Sequence, residues 1–146
     1  MKLLLISLIM WFGAGSGSAW LGDFDVAKKE ATEKHKLILI NFSGSDWCGP
    51  CIRLRNEILE TPSFEGYASD HLVLVRADFP RQKKNQLSKD QVKKNEKLAD
   101  QYNSAGKFPY TVLVDDQGKV LKSWEGFPNE TPDQFIADIK SLEARH

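Results

Sequence analysis

Only two cysteines occur in the 146 residues, Cys48 and Cys51, so no network of disulfides can hold this fold together. Stability has to come from packing, and one domain of this length can bury a genuine hydrophobic core. Charge of one sign is not in excess either. Lys plus Arg number 20 and Asp plus Glu number 20, so no net field draws the chain to nucleic acid or anionic lipid. Internal repeats and Pro-, Gly- or Ser-rich linkers are missing, and nothing divides the chain after Trp20. The three histidines, His35, His71 and His146, have no metal-ligand spacing to one another or to the cysteines, so no metal site is expected.

The apolar run Leu3–Phe12 is about half of the roughly 20 residues that a stable transmembrane helix needs. It follows Lys2 and leads into small residues ending Gly17-Ser18-Ala19, which is the pattern of a secretory leader. We therefore expect a signal peptide over residues 1–19, cleaved near Ala19, and a folded domain over 20–146 that is periplasmic or secreted. Residues 81–97 carry Arg81, Lys83, Lys84, Lys89, Lys93, Lys94 and Lys97 against Asp90 and Glu96. No aromatic residue is interleaved there to stack on bases. The stretch reads as a solvated loop and helix face, with a docking surface for an acidic partner as the alternative.

Hydrophobic spacing predicts the elements. Phe24, Val26, Ala27 and Ala31 lie on one helical stripe, and 36–42 (KLILINF) reads as a strand buried on both faces. A helix is predicted from about Cys48 to a stop before Pro62, with Ile52, Leu54, Ile58 and Leu59 on one side. A second buried strand follows over 71–79. Ser88 to Gln91 forms a capping box for a helix running to about Tyr102, with Val92, Leu98, Ala99 and Tyr102 inward. Two strands flank the turn Asp116-Gln117-Gly118, and Thr131-Pro132 opens a last helix with Phe135, Ile136, Ile139 and Leu142 inward. A mixed sheet with helices on both faces, an α/β fold, buries these strands.

Cys48 and Cys51 carry the chemistry. Two cysteines placed at random would fall at this spacing in only about one arrangement in a hundred, so the pair is informative. As a structural staple it would close a very small loop and stabilise little. As a haem attachment it would need histidine after Cys51, where Ile52 stands. Two thiolates alone could hold Cu(I), so a metal carrier stays open. In the redox reading, a helix starting at the motif puts Cys48 beside unpaired N–H groups and lowers its pKa. Cys48 then attacks a disulfide, and Cys51, one turn on, resolves the mixed disulfide. Pro50 is tolerated in the first turn. The pair itself carries the electrons, so no cofactor is expected.

The stretch FSGSDWCGPC after a buried strand resembles the active site of the thioredoxin family, including Trp47 and the inner pair Gly49-Pro50. The resemblance extends over residues 36–145 and, with the N-terminal helix, is to the secreted single-domain branch. It implies a thioredoxin-like fold and thiol–disulfide oxidoreductase activity, with Cys48 as nucleophile, Cys51 resolving, and Trp47, Gly49 and Pro50 shaping the site. Phe108-Pro109 resembles the family's cis-proline turn, and Gly126 a position where substrate approaches the backbone. These residues are expected to contact substrate. Gly-Pro between the cysteines resembles reducing members; oxidising and isomerising relatives place a histidine before the second cysteine. A protein-disulfide reductase is expected, monomeric, acting on cysteine-containing exported proteins and re-reduced by a membrane-embedded electron donor. An oxidase or isomerase, or a binding module using residues 81–97, are the alternatives. Three departures stand out. Asn41 occupies the place of a buried aspartate, the segment from Asp78 to Pro109 is long, and Phe108 is bulkier than the usual residue before the proline.

Overall fold

The computed structural model describes residues 19–146, so the expected leader falls outside the described residues apart from Ala19. Seven consecutive residues of β2 (Leu37–Ser43) are buried, as the continuous apolar run requires of a strand at the centre of a sheet. On one side β2 pairs in parallel with β3 (Leu72–Asp78), which pairs in parallel with the two-residue β1 (Trp20–Leu21). On the other side it pairs antiparallel with β4 (Tyr110–Val114), which continues antiparallel to β5 (Val120–Glu125). The strand order is β1-β3-β2-β4-β5. Gly118, with φ of +84°, turns the β4–β5 hairpin where the sequence placed it.

The period of two in a strand sends alternate side chains to opposite faces, and each face has its own core. Ile38, Ile40 and Phe42 point to Ala27 and Ala31 of α1 (Phe24–Lys34) and to Leu98 of α4 (Lys89–Tyr102). Leu37 and Leu39 point to the other layer. This layer holds α2 (Gly49–Leu54) with the π-helical turn Arg55–Leu59 that extends it, α3 (Pro62–His71) and α5 (Pro132–Glu143). Phe64, Phe135 and Trp124 form the aromatic centre of that layer. Thr131 caps α5 in a capping box, its hydroxyl accepting the Gln134 N–H while the Gln134 amide oxygen accepts the Thr131 N–H.

One strand and one α-helix were not predicted. The strand, β1, is too short to show a pattern. The helix is α3, which begins at Pro62, where a helix was expected only to stop. Thr61 caps α3 by accepting the Phe64 N–H, and Pro62 takes the first turn, where its missing N–H costs little. The helix expected from Cys48 does end before Pro62, but its last turn loosens into the π-helical segment.

The ends of α3 and α5 are clasped by Glu143. Its carboxylate accepts the Tyr67 hydroxyl at 2.6 Å and faces His71 Nδ1 at 2.8 Å. Partial burial alone would raise the Glu143 pKa, but the hydrogen bonds from Tyr67 and His71 outweigh it and hold the carboxyl below its ordinary value. A carboxyl depressed on folding stabilises the protein above its unfolded pKa of roughly 4.3, and that stabilisation is lost as pH falls through the folded value. The clasp is partly exposed, so its contribution is about 0.5–1 kcal/mol. Glu143→Gln is expected to lower Tm by a few degrees at pH 7 and to bring wild type and variant closer below about pH 4. Thermal melts across pH check this, and an unchanged gap at low pH would contradict it.

Candidate active site

The loop after β2 begins at Gly44, whose Cα lies so close to the Trp47 indole that a Cβ built there would fall 2.3 Å from the ring. The indole cannot easily yield. Its Nε1–H donates to the Phe79 carbonyl at 2.7 Å, and Phe108 packs edge-on against it at 5.5 Å. Phe79 completes the cluster against the other side of Phe108, at 5.4 Å. Gly44→Ala is therefore expected to destabilise the protein by about 1–3 kcal/mol and to expose Trp47. A red shift in tryptophan emission together with a lowered urea midpoint would be the signature. A silent substitution would mean that this loop repacks freely.

Cys48 stands at the N-cap of α2, and Pro50 lies in its first turn. Cys48 and Cys51 are joined as a disulfide with their Cα atoms 5.2 Å apart. Both are nearly buried, with exposures of 5% and 3%. Gly49 and Pro50 between them are exposed. Each sulfur faces a backbone donor: the Cys51 N–H points at Cys48 Sγ (3.3 Å), and the Gly44 N–H at Cys51 Sγ (3.4 Å). When the disulfide opens, such donors favour a thiolate over a thiol, which is what a nucleophilic sulfur needs near neutral pH. Ile52, at 41% exposure, lies on the same helix immediately after the pair.

The Phe108–Pro109 peptide bond is cis, as the resemblance implied. Asn103 holds the approach to it from a buried position: its amide donates to the Lys107 carbonyl and accepts the Lys107 N–H. An ion pair between Lys107 and Glu125 ties the same turn to the end of β5. Gly126 follows with φ of +70° and open space where a Cβ would stand. Its N–H donates to the Pro109 carbonyl, so that donor is spent inside the fold. Cys48, Cys51, Trp47, Gly49 and Pro50 thus share one loop and helix start. Phe108 joins them through Trp47, and Gly126 is linked to Pro109.

Asn41 is buried in β2 and donates from its amide to the Thr111 hydroxyl of β4 at 3.2 Å. It is held by a neutral partner, in keeping with an amide in place of an acid. Among the described residues, no three of His, Cys, Asp or Glu are grouped to hold a metal ion.

Several residues that build the site have no local sequence signal. Asp78, at the end of β3, accepts the Ser45 N–H and hydroxyl and so anchors the loop before Trp47. Asn95, buried on α4, donates to the Asp78 carbonyl. Asp46 accepts the N–H groups of Arg81 and Gln82 and the Asn85 amide. The Arg81 N–H, with these other donors, holds the Asp46 carboxyl below its usual pKa. Only the long segment after Asp78 hinted that something additional packs here.

Residues 24–142 match the thioredoxin-like domain family. The chain is 36% identical over 115 residues to the disulfide bond reductase DsbH of Chlamydia pneumoniae, covering 79% of this chain and 67% of that protein. A solved structure of a DsbH oxidoreductase superposes with a TM-score of 0.80 at 30% identity, covering all of this chain and 95% of that one. The thioredoxin-related protein DsbJ, also of Chlamydia pneumoniae, is 26% identical over 112 residues, 77% of this chain but 31% of that protein.

Proposed function

The chain belongs to the thioredoxin-like family and is a disulfide oxidoreductase similar to DsbH, and from that premise we propose that it is a protein-disulfide reductase working outside the cytoplasm. The observation that carries this reading is the Cys48–Cys51 pair at a helix start, with a backbone N–H aimed at each sulfur. Cys48 attacks the substrate disulfide and Cys51 resolves the mixed disulfide. Trp47, Gly49 and Pro50 shape the opening around the pair, and Phe108, Pro109 and Gly126 border the substrate's path. The catalytic step needs no dissociable cofactor, because the two thiols carry both electrons.

Gly-Pro between the cysteines supports the reducing direction, as does likeness to a protein named a disulfide bond reductase. The leader pattern over residues 1–19 supports export, leaving 20–146 as the working domain, acting as a monomer on cysteine-containing exported proteins. A reductase there must itself be reduced, and a membrane-embedded dithiol donor fills that need. Asn41 cannot take the proton of Cys51 at neutral pH, so water or another base accepts it. Catalysed reduction of a protein disulfide, with dithiothreitol as the electron source, tests the direction. Acceleration over dithiothreitol alone is expected. Acceleration only of disulfide formation in a reduced protein would overturn the reductase reading.

A further inference from the structure

The loop between β3 and α4 crosses the rim of the active site and is fastened there. Asp46, two residues before Cys48, accepts the backbone N–H groups of Arg81 and Gln82 at 2.9 Å each and the Asn85 amide at 3.0 Å. Gln82 returns the contact from its own amide to the Asp46 carbonyl. One turn of 3-10 helix, Lys83–Asn85, shapes the loop. The Arg81 guanidinium lies over the Trp47 ring, 3.6 Å from its centroid, and Trp47 is the residue preceding Cys48. A charged loop with no task would be expected to stand free in solvent. This one is tied down by backbone and side-chain hydrogen bonds that leave its cationic heads without a carboxylate partner.

Those heads are Arg81, Lys83 and Lys84. All three residues are exposed, and among the described residues none has a carboxylate within 4.0 Å, whereas Lys94 of the same basic stretch is paired with Asp23 at 2.9 Å. The donors to Asp46 and Asp78 are neutral, so both carboxylates keep their charge. Arg81, Lys83 and Lys84 set three positive charges against these two, which leaves the loop positive by one. Arg81 is pre-ordered by its stack on Trp47, so little of its freedom is left to lose on binding.

We propose that the Arg81–Lys83–Lys84 rim is a docking surface for acidic residues flanking the target disulfide of a protein substrate, which makes these three residues determinants of substrate choice. This rests on the reductase reading above. In each turnover the Cys48 thiolate bonds to one substrate sulfur as the substrate S–S bond breaks. The Cys51 thiolate then displaces that sulfur, leaving two substrate thiols and the Cys48–Cys51 disulfide, which a dithiol reductant reopens. The rim takes no part in electron transfer. It raises the encounter rate and the residence of acidic substrates through charge complementarity.

The test uses pre-reduced protein and three disulfide-linked peptide dimers that differ only in having Asp and Glu, Ser, or Lys beside the cysteine. Single-turnover reduction is followed for wild type, for Arg81→Glu/Lys83→Glu/Lys84→Glu, and for Lys83→Glu/Lys84→Glu, which leaves the Trp47 stack in place. Wild type is expected to reduce the acidic peptide about tenfold faster than the basic one at low ionic strength, with the ratio shrinking to about twofold at 0.5 M salt. The triple variant is expected to invert the order and the double variant to flatten it. A ratio that stays the same in the variants, or equal rates with all three peptides in wild type, overturns the docking surface. Retention on anionic phospholipid vesicles without any peptide preference assigns the rim to a membrane instead and also overturns it. Good reduction of the Ser peptide alongside such a failure leaves the reductase reading standing, and no reduction of any peptide removes both.

Discussion

Serine in place of Cys48 is expected to slow disulfide exchange by about a thousandfold or more, whereas serine in place of Cys51 is expected to preserve the first attack and trap the mixed disulfide. The asymmetry follows from position. Cys48 is the N-cap of α2 and receives the Cys51 N–H, while Cys51 sits a turn inside the helix, with its sulfur toward the Gly44 N–H. In the proposed mechanism the sulfur at the helix N-cap attacks the substrate and the one inside the helix expels it. Intact-mass analysis after mixing with a disulfide peptide reads this directly: an adduct on Cys51→Ser and none on Cys48→Ser. The opposite pattern would exchange the two roles. A Cys48→Ser protein that keeps its fold but loses exchange also speaks against a binding module whose cysteines are incidental.

Phe135→Ala is expected to cost about 3–5 kcal/mol, a large share of the roughly 5–15 kcal/mol that holds a domain of this kind together. Phe135 is fully buried, with Trp124 at 4.8 Å and Phe64 at 5.9 Å between ring centroids. These three come from α5, β5 and α3, so one ring joins three elements of the layer that also holds α2. The void would be walled by side chains fixed in the sheet and in two helices, and it could not close by a small shift. Urea unfolding gives the number. A loss below about 1 kcal/mol would mean that the layer tolerates voids and that its aromatic centre is not the keystone described.

What the sequence reveals of this protein is mostly what is local. Cys48, Gly49, Pro50 and Cys51 are adjacent, and the strand, cap and first-turn signals around them are short-range, so the motif and its helix start were readable. Thr61-Pro62 carries the same cap-and-proline signal as Thr131-Pro132. The restriction on the residue before a proline makes Pro62 read as a stop, and the apolar stripe of α3 is weak, with only Phe64 and Ala68 buried and Gly66 between them. The supports of the site are different in kind. Asp78 to Ser45, Asp46 to Arg81 and Asn95 to Asp78 are polar contacts between elements. Hydrophobic periodicity says nothing about such pairs. The basic stretch 81–97 shows the same division. Its composition read as solvated charge, and that fits Lys94 with its ion pair to Asp23. At its beginning, tertiary contacts that no spacing encodes bring Arg81 onto Trp47.

The equilibrium reduction potential of the Cys48–Cys51 couple, measured against glutathione and dithiothreitol buffers at pH 7, tests the central claim most directly. A value near about −270 mV, in the range of reducing thioredoxins, is the result expected of a reductase with Gly-Pro between its cysteines. A value near about −120 mV would place the couple among strong oxidants and contradict the direction of electron flow assigned to it.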